Sequence, residues 1–194
     1  MPPGIADADA AAIERVRAGL TDAAARLLAA GARTEALAEY EPPGRVLLIP
    51  RAERLRPVAH VWRLGVLLLG ADVQGAGVQG AGARPSLYAT GSITRSHEPG
   101  RPTYQAASAE RRRQLRVAAC RGHFEPGESV NFDAAPIALD ESLVGASGSL
   151  TVENGQALVR WNTADPDVTT DFDAYLADRV ALLVDPPAGA EGMS

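Results

Sequence analysis

The sequence predicts an α+β fold. Apolar residues recur at helical spacing near the N-terminus. β-rich segments then follow one another through short, turn-like links. A clear hairpin signal at Asn154-Gly155 precedes a last helical stretch. Strands joined by turns rather than by helices favour a mainly antiparallel sheet over a doubly wound one. The 194 residues suggest a single domain over 1–187. A flexible glycine-rich loop at 72–84 interrupts it, and a disordered tail at 188–194 follows it.

Residues from about 7 to 30 form the first expected helix, with Ile13, Val16, Leu20, Ala24, Leu27 and Leu28 at helical spacing and Gly31 as its stop. A short helical turn is expected at Thr34–Tyr40, ended by Glu41-Pro42-Pro43-Gly44. Arg45–Ile49 reads as a short strand closed by Pro50. Val58–Leu69 reads as one longer strand, with Val58, His60, Trp62, Leu64, Val66 and Leu68 on an apolar face. The repeated Val-Gln-Gly-Ala-Gly of residues 73–82 reads as a low-complexity loop. Leu87–Thr94 is another strand, with Leu87, Ala89 and Ile93 facing one way.

The spacing of Leu115, Ala118 and Ala119 predicts a helix over Ser108–Arg121, capped by Ser108 and favoured by Glu110 at its positive end. A short strand is expected at Glu128–Phe132, and Pro136–Val144 is ambiguous. Asn154-Gly155 is the preferred pair for a two-residue turn. It pairs Val152 with Ala157 and Leu150 with Val159, and puts both pairs and Trp161 on one face. A final helix is expected at Thr170–Val184. Thr170 and Asp173 approximate a capping box, and Phe172, Tyr175, Leu176, Ala181 and Leu183 supply its inner contacts.

Composition restricts the chemistry. The formal net charge is −5, which argues against general nucleic-acid binding. All 19 basic residues are arginine, in keeping with a GC-rich genome. Without lysine there is no Schiff-base lysine, lysine general base or phosphate-loop lysine. The single cysteine, Cys120, excludes an intramolecular disulfide and a multi-cysteine zinc site, and fits a reducing compartment. No secretion signal is read at the N-terminus, and the longest strongly apolar run, Val66–Leu69, is too short to span a bilayer. The expected location is the cytoplasm, with no membrane or nucleic-acid partner.

The richest chemistry lies between Thr94 and Asn131. Arginine forks bind carboxylates and phosphates in bidentate fashion, so a small anionic ligand is the expected partner. Arg95, Arg101 and Arg121 are the first candidates, and His97, Tyr104, His123 and Asn131 complete the candidate set. Three adjacent arginines, Arg111, Arg112 and Arg113, point in different directions on a helix, and at least two should be solvated. His97-Glu98 and His123-x-Glu125 do not match metal-ligand spacing, so no metal or other cofactor is expected. His60 reads as a core histidine. Cys120 reads as a small buried residue. Gly145-Ala146-Ser147-Gly148-Ser149 lacks the last glycine of a nucleophile elbow. Asp165, Asp167, Asp171 and Asp173 lack the glycine and glutamate of a calcium loop and suit the last helix's N-terminus instead.

Several stretches carry a family resemblance: Arg45–Pro50, Val61–Leu68, Leu87–Gly91, His97-Glu98-Pro99-Gly100-Arg101 and Gly127–Phe132. Over roughly residues 45–135 they resemble a group of short actinobacterial proteins, some of which carry the label glutaminase. That label implies an amide substrate. A serine-dependent glutaminase needs an S-x-x-K motif, which a chain without lysine lacks. An amidotransferase-type nucleophile sits on a glycine-flanked strand-to-helix turn, whereas Ala118-Ala119-Cys120-Arg121-Gly122 ends a helix. The leading expectation is a domain that binds a small ligand or a protein without catalysis of its own. The alternatives are an enzyme for an anionic or amide substrate using the Arg95–Asn131 region, and a homo-oligomeric scaffold.

Overall fold

The computed structural model describes residues 4–46, 49–71, 85–98, 107–162, 165 and 167–187. In chain order they form α1 (Ile5–Ala29), β1 (Glu35–Glu41), β2 (Gly44–Val46), β3 (Ile49–Arg51), β4 (Arg54–Leu64), β5 (Leu67–Gly70), β6 (Leu87–Ala89) and β7 (Ser92–Arg95). Then come α2 (Ala107–Arg121), β8 (Ser129–Phe132), β9 (Ala135–Pro136), a 3-10 turn (Glu141–Leu143), β10 (Leu150–Glu153), β11 (Gln156–Arg160), β12 (Thr169–Asp171) and α3 (Phe172–Val184). The fold is α+β, as predicted. Among the described residues the ladders are antiparallel except for β1 with β8. The expected glycine-rich loop at 72–84 and the tail at 188–194 lie outside the described residues.

The chain divides into two compact units, one of residues up to Thr34, Trp62–Ala89 and from Ala135 onward, the other of Glu35–Val61 and Thr90–Ala134. In the first, α1 and α3 pack together, with Phe172 and Leu176 of α3 beside Gly19 of α1. Ile13, Val16, Leu20 and Leu27 join Trp62, Leu64, Leu150, Val152, Val159 and Phe172 in its core. α1 ends as expected at Gly31, whose φ is +61°. Gly31 N–H donates to the Leu28 carbonyl and Ala32 N–H to the Leu27 carbonyl, the paired bonds of a Schellman ending. The predicted hairpin register holds, with Val152 opposite Ala157 and Leu150 opposite Val159. The last helix starts later than expected. Its N-cap is Asp171, whose carboxylate accepts from Ala174 N–H at 3.0 Å, while Thr170 belongs to β12. Val180 is buried on α3 and Ala181 is exposed, the reverse of the inner face expected there. Leu28 and Trp161 are also exposed, whereas the spacing put both inside.

The second unit holds the ladder β7-β8-β1-β4. α2 supplies Ala118 and Ala119 to a core with Ala36, Ala38, Leu55, Val130 and Phe132. Here lies the largest correction. The segment expected as a helical turn at Thr34–Tyr40 is strand β1, paired on one side with β4 and on the other with β8. Glu35-Ala36-Leu37-Ala38-Glu39 are acceptable helix formers, but central pairing overrides so weak a local preference.

Three expected strands are also broken. Arg45–Ile49 is not one strand: β2 and β3 pair as a small antiparallel ribbon, with Pro50 inside it. The run Val58–Leu69 folds back on itself at Gly65-Val66 between β4 and β5. Gly65 has φ +68°, which a tight hairpin turn favours in glycine. Tyr175 Oη fixes that turn, accepting from Val66 N–H at 3.0 Å and donating to the Leu64 carbonyl at 2.7 Å. Leu37 pairs with Ala59 but Ala38 with Pro57, so Val58 is the extra residue of a bulge, the setting in which a proline is tolerated within a sheet. The turn ends the row at Leu64, and Val58, in the bulge, and His60 are exposed rather than buried. Finally, Leu87–Thr94 is split into β6 and β7 at Thr90-Gly91, and Ile93 is exposed. A side chain at Gly91 would meet the Asp133 carbonyl at 2.2 Å.

Candidate functional site

α2 carries Arg111, Arg112, Arg113, Arg116 and Arg121, and the helical rotation sorts them. Arg111 donates to Glu53 at 2.7 Å and lies over the Tyr40 ring at 5.4 Å. Arg113 forms a two-pronged pair with Glu110 at 2.7 and 2.8 Å. Arg121 donates to the Glu53 backbone carbonyl at 3.3 Å. Arg112 and Arg116 stand four residues apart and so share a face. Among the described residues neither side chain makes a hydrogen bond or an ion pair.

Both residues line a groove of about 450 Å³. Its opposite side is the consecutive stretch Ile93–His97, with Gly127 at one end. Ser96 anchors that side. It is buried, and its hydroxyl donates to the Phe124 carbonyl at 2.9 Å. Its backbone pairs with Glu128 and Gly127. His97 N–H donates to the Arg116 carbonyl at 3.3 Å, which ties the strand extension to the helix. The groove therefore has a fixed frame and a cationic rim. A second cavity, of about 480 Å³ between α1 and the 3-10 turn, is different. Glu14, Asp140 and Glu141 line it, and its one arginine, Arg17, already donates to Glu14 and to the Leu139 carbonyl.

The residues proposed from sequence fall in several places. Arg95 and His97 line the groove. Arg101 and Tyr104 lie outside the described residues. Arg121 is turned toward Glu53 instead. His123 follows α2 with φ +66° and is exposed. Asn131 is buried within the ladder, its amide donating to Glu35 at 2.7 Å and to the Ala36 carbonyl at 3.2 Å, so it ties strands together. Cys120 is half-buried on α2. Arg112 and Arg116 were not singled out by sequence, although their four-residue separation was a readable signal. Among the described residues, no three His, Cys, Asp or Glu side chains converge as a metal site.

Behind α2 lies a charged cluster that holds the helix. Tyr40 Oη donates to Glu53 at 2.7 Å, beside the Arg111 bond to the same oxygen. Partial burial pushes the Glu53 carboxyl up, but the bonds from Tyr40 and Arg111 and the nearby charges of Arg111 and Arg121 outweigh it and hold it below the usual glutamate range. The Arg54 bond, with Arg51 and Arg56 close by, likewise holds Glu41 low. A depressed carboxylate stabilises the fold fully above its unfolded-state pKa, and this support is lost as pH falls through the folded value. The second unit should lose stability below about pH 4.5. Glu53→Gln should weaken that acid dependence while lowering stability at pH 7. Urea midpoints at pH 7 and pH 3.5 test this, and an unchanged pH slope would mean that the Glu53 bonds do not persist in solution.

Comparison with protein-family models, curated proteins and solved structures finds no match to the chain. Among the described residues, no helix is long and apolar enough to cross a membrane.

Proposed function

We propose that the chain is a binding domain for a small oxyanion, a carboxylate or a phosphate, held in the groove between Ile93–His97 and α2. The observation that carries this reading is the pair Arg112 and Arg116. In a chain of net charge −5, acids are plentiful, and Arg111 and Arg113 both take one. Arg112 and Arg116 take none among the described residues, and both line one groove. Guanidinium forks that keep their donors for an incoming group suit bidentate recognition of an oxyanion. Arg95 adds positive charge from the strand side. The working compartment is the cytoplasm, supported by the single cysteine.

The test is titration calorimetry with inorganic phosphate and with succinate at low salt. A charge-assisted hydrogen bond contributes about 1.5–3 kcal/mol. Arg112→Ala and Arg116→Ala should therefore each weaken binding by about tenfold or more, and together abolish it. Arg113→Ala, which removes an arginine already paired with Glu110, should leave binding within about twofold. Equal losses from all three changes would reduce the effect to general surface charge. The absence of binding by the unaltered protein would refute the proposal.

A further inference from the structure

We infer that the groove selects a phosphate monoester of a small molecule over a carboxylate, and that the Thr94 hydroxyl is the group that discriminates. The inference rests on the oxyanion reading above and names its ligand class. What it adds to the arginine pair is the position and the unused hydroxyl of Thr94.

The sheet register places that residue. In the antiparallel pair of β7 with β8, Thr94 stands opposite Val130, and directly opposed residues project to the same face of a sheet. Val130 lies in the core that Ala118 and Ala119 of α2 enter. Thr94 therefore projects to the face that α2 covers, and Ile93 and Arg95 project to the other. Among the described residues that line the groove, Thr94 and Ser96 carry hydroxyls. The Ser96 hydroxyl is already donated to the Phe124 carbonyl at 2.9 Å. The hydroxyl of half-buried Thr94 makes no hydrogen bond among the described residues. It keeps its donor on the sheet side of the groove, as Arg112 and Arg116 keep theirs on the helix side.

The number of donors decides which oxyanion suits them. An arginine fork presents two parallel N–H donors. A carboxylate has two oxygens with about four acceptor sites, and two forks fill them. A hydroxyl beside those forks would find no acceptor left. A phosphate ester has three free oxygens and a charge of about −1.5 to −2 at neutral pH. It can take both forks and still accept from Thr94. The groove volume, about 450 Å³, falls in the range of small-molecule sites, about 300–1,000 Å³. That leaves room for the body of an ester beyond its phosphate head.

The experiment is calorimetry at low salt on the full chain, with propyl phosphate, butyrate and inorganic phosphate as probes. Propyl phosphate and butyrate share a propyl chain and differ in the head. Propyl phosphate should bind about tenfold or more tighter than butyrate, and no more weakly than inorganic phosphate. Thr94→Val keeps the β-branched shape that suits a strand and removes the hydroxyl. It should weaken propyl phosphate by about tenfold, the scale of one hydrogen bond to a charged group, and leave butyrate within about twofold. Thr94→Ser should restore binding of the phosphate. If Thr94→Val binds propyl phosphate as the unaltered chain does, or Thr94→Ser fails to restore it, the hydroxyl does not select the ligand and the inference is wrong. If butyrate matches propyl phosphate and both depend on Arg112 and Arg116, the inference is again wrong while the oxyanion site stands. If inorganic phosphate binds and propyl phosphate does not, the site takes the free ion and the ester is excluded. If none of the probes binds, both readings fall.

Discussion

Gly122→Ala is expected to destabilise the second unit by about 3 kcal/mol, at the upper end of the range for overpacking a tight interior. Gly122 is buried just past the end of α2, its N–H shared between the Ala118 and Ala119 carbonyls. A methyl group there would stand 1.8 Å from the Leu55 carbonyl oxygen. Leu55 lies in β4 and is fully buried. The obstacle is backbone, so no rotamer change relieves it and α2 must move off the sheet. That movement would pull Ala118 and Ala119 from Val130 and Ala36, which form the core below them. Gly127→Ala is the control. Gly127 has φ +86° but open space around it, so it should cost only the left-handed backbone penalty, about 1–2 kcal/mol. Urea unfolding of the two variants gives the comparison. If Gly122→Ala costs no more than Gly127→Ala, the helix does not meet the strand so closely.

The elements legible from sequence were those whose local signals agreed with one another. α1 combines a helical period with a glycine stop, and the β10-β11 hairpin combines alternation with an Asn-Gly turn. The register of the hairpin followed directly from that turn. The elements misread were those decided by partners far away in the chain. β1 contains good helix formers and becomes a strand because β4 and β8 flank it. In 58–69 the alternation looked continuous, yet a bulge displaces its first residue, Val58, and the turn at Gly65 cuts it in two. Nothing in an alternating pattern announces such a break, although Pro57 and Gly65 mark where it could occur.

The site was legible as a region and not as a set of residues. Sequence pointed to the arginines between 95 and 121, and Arg95 and His97 do line a groove. Which helix arginines reach it depends on which carboxylates occupy the others. Glu53, in the turn before β4, reaches Arg111 from 58 positions away, a pairing no local pattern encodes. The same remote contact turns Arg121 aside, since its donor goes to the Glu53 carbonyl. The groove-facing arginines are those of α2 that Glu53 and Glu110 do not take.

The two tryptophans should respond in opposite ways to substitution, a second large effect. Trp62 is 2 % exposed in the first unit's core and Trp161 is 46 % exposed. Trp62→Ala should cost about 3–5 kcal/mol, the scale of emptying a large aromatic site. Trp62→Phe should cost less, because the ring keeps most of the packing. What it loses is the indole N–H donated to the Ala32 carbonyl at 3.1 Å, a bond that ties β4 to the chain just beyond the end of α1. Trp161→Phe should stay within about 0.5 kcal/mol, as for other surface changes. Emission supplies an independent readout. In Trp161→Phe the remaining indole should emit at short wavelength and resist acrylamide. In Trp62→Phe it should emit to the red and quench readily. Continuous alternation along β11 would place Trp161 inside with Val159. A blue-shifted, quench-resistant Trp161, together with a large loss of stability on its removal, would favour that packing over the exposed position. The opposite pattern would show that the inward row of β11 ends at Val159, leaving Trp161 at the solvent boundary, where an indole can keep its N–H hydrated.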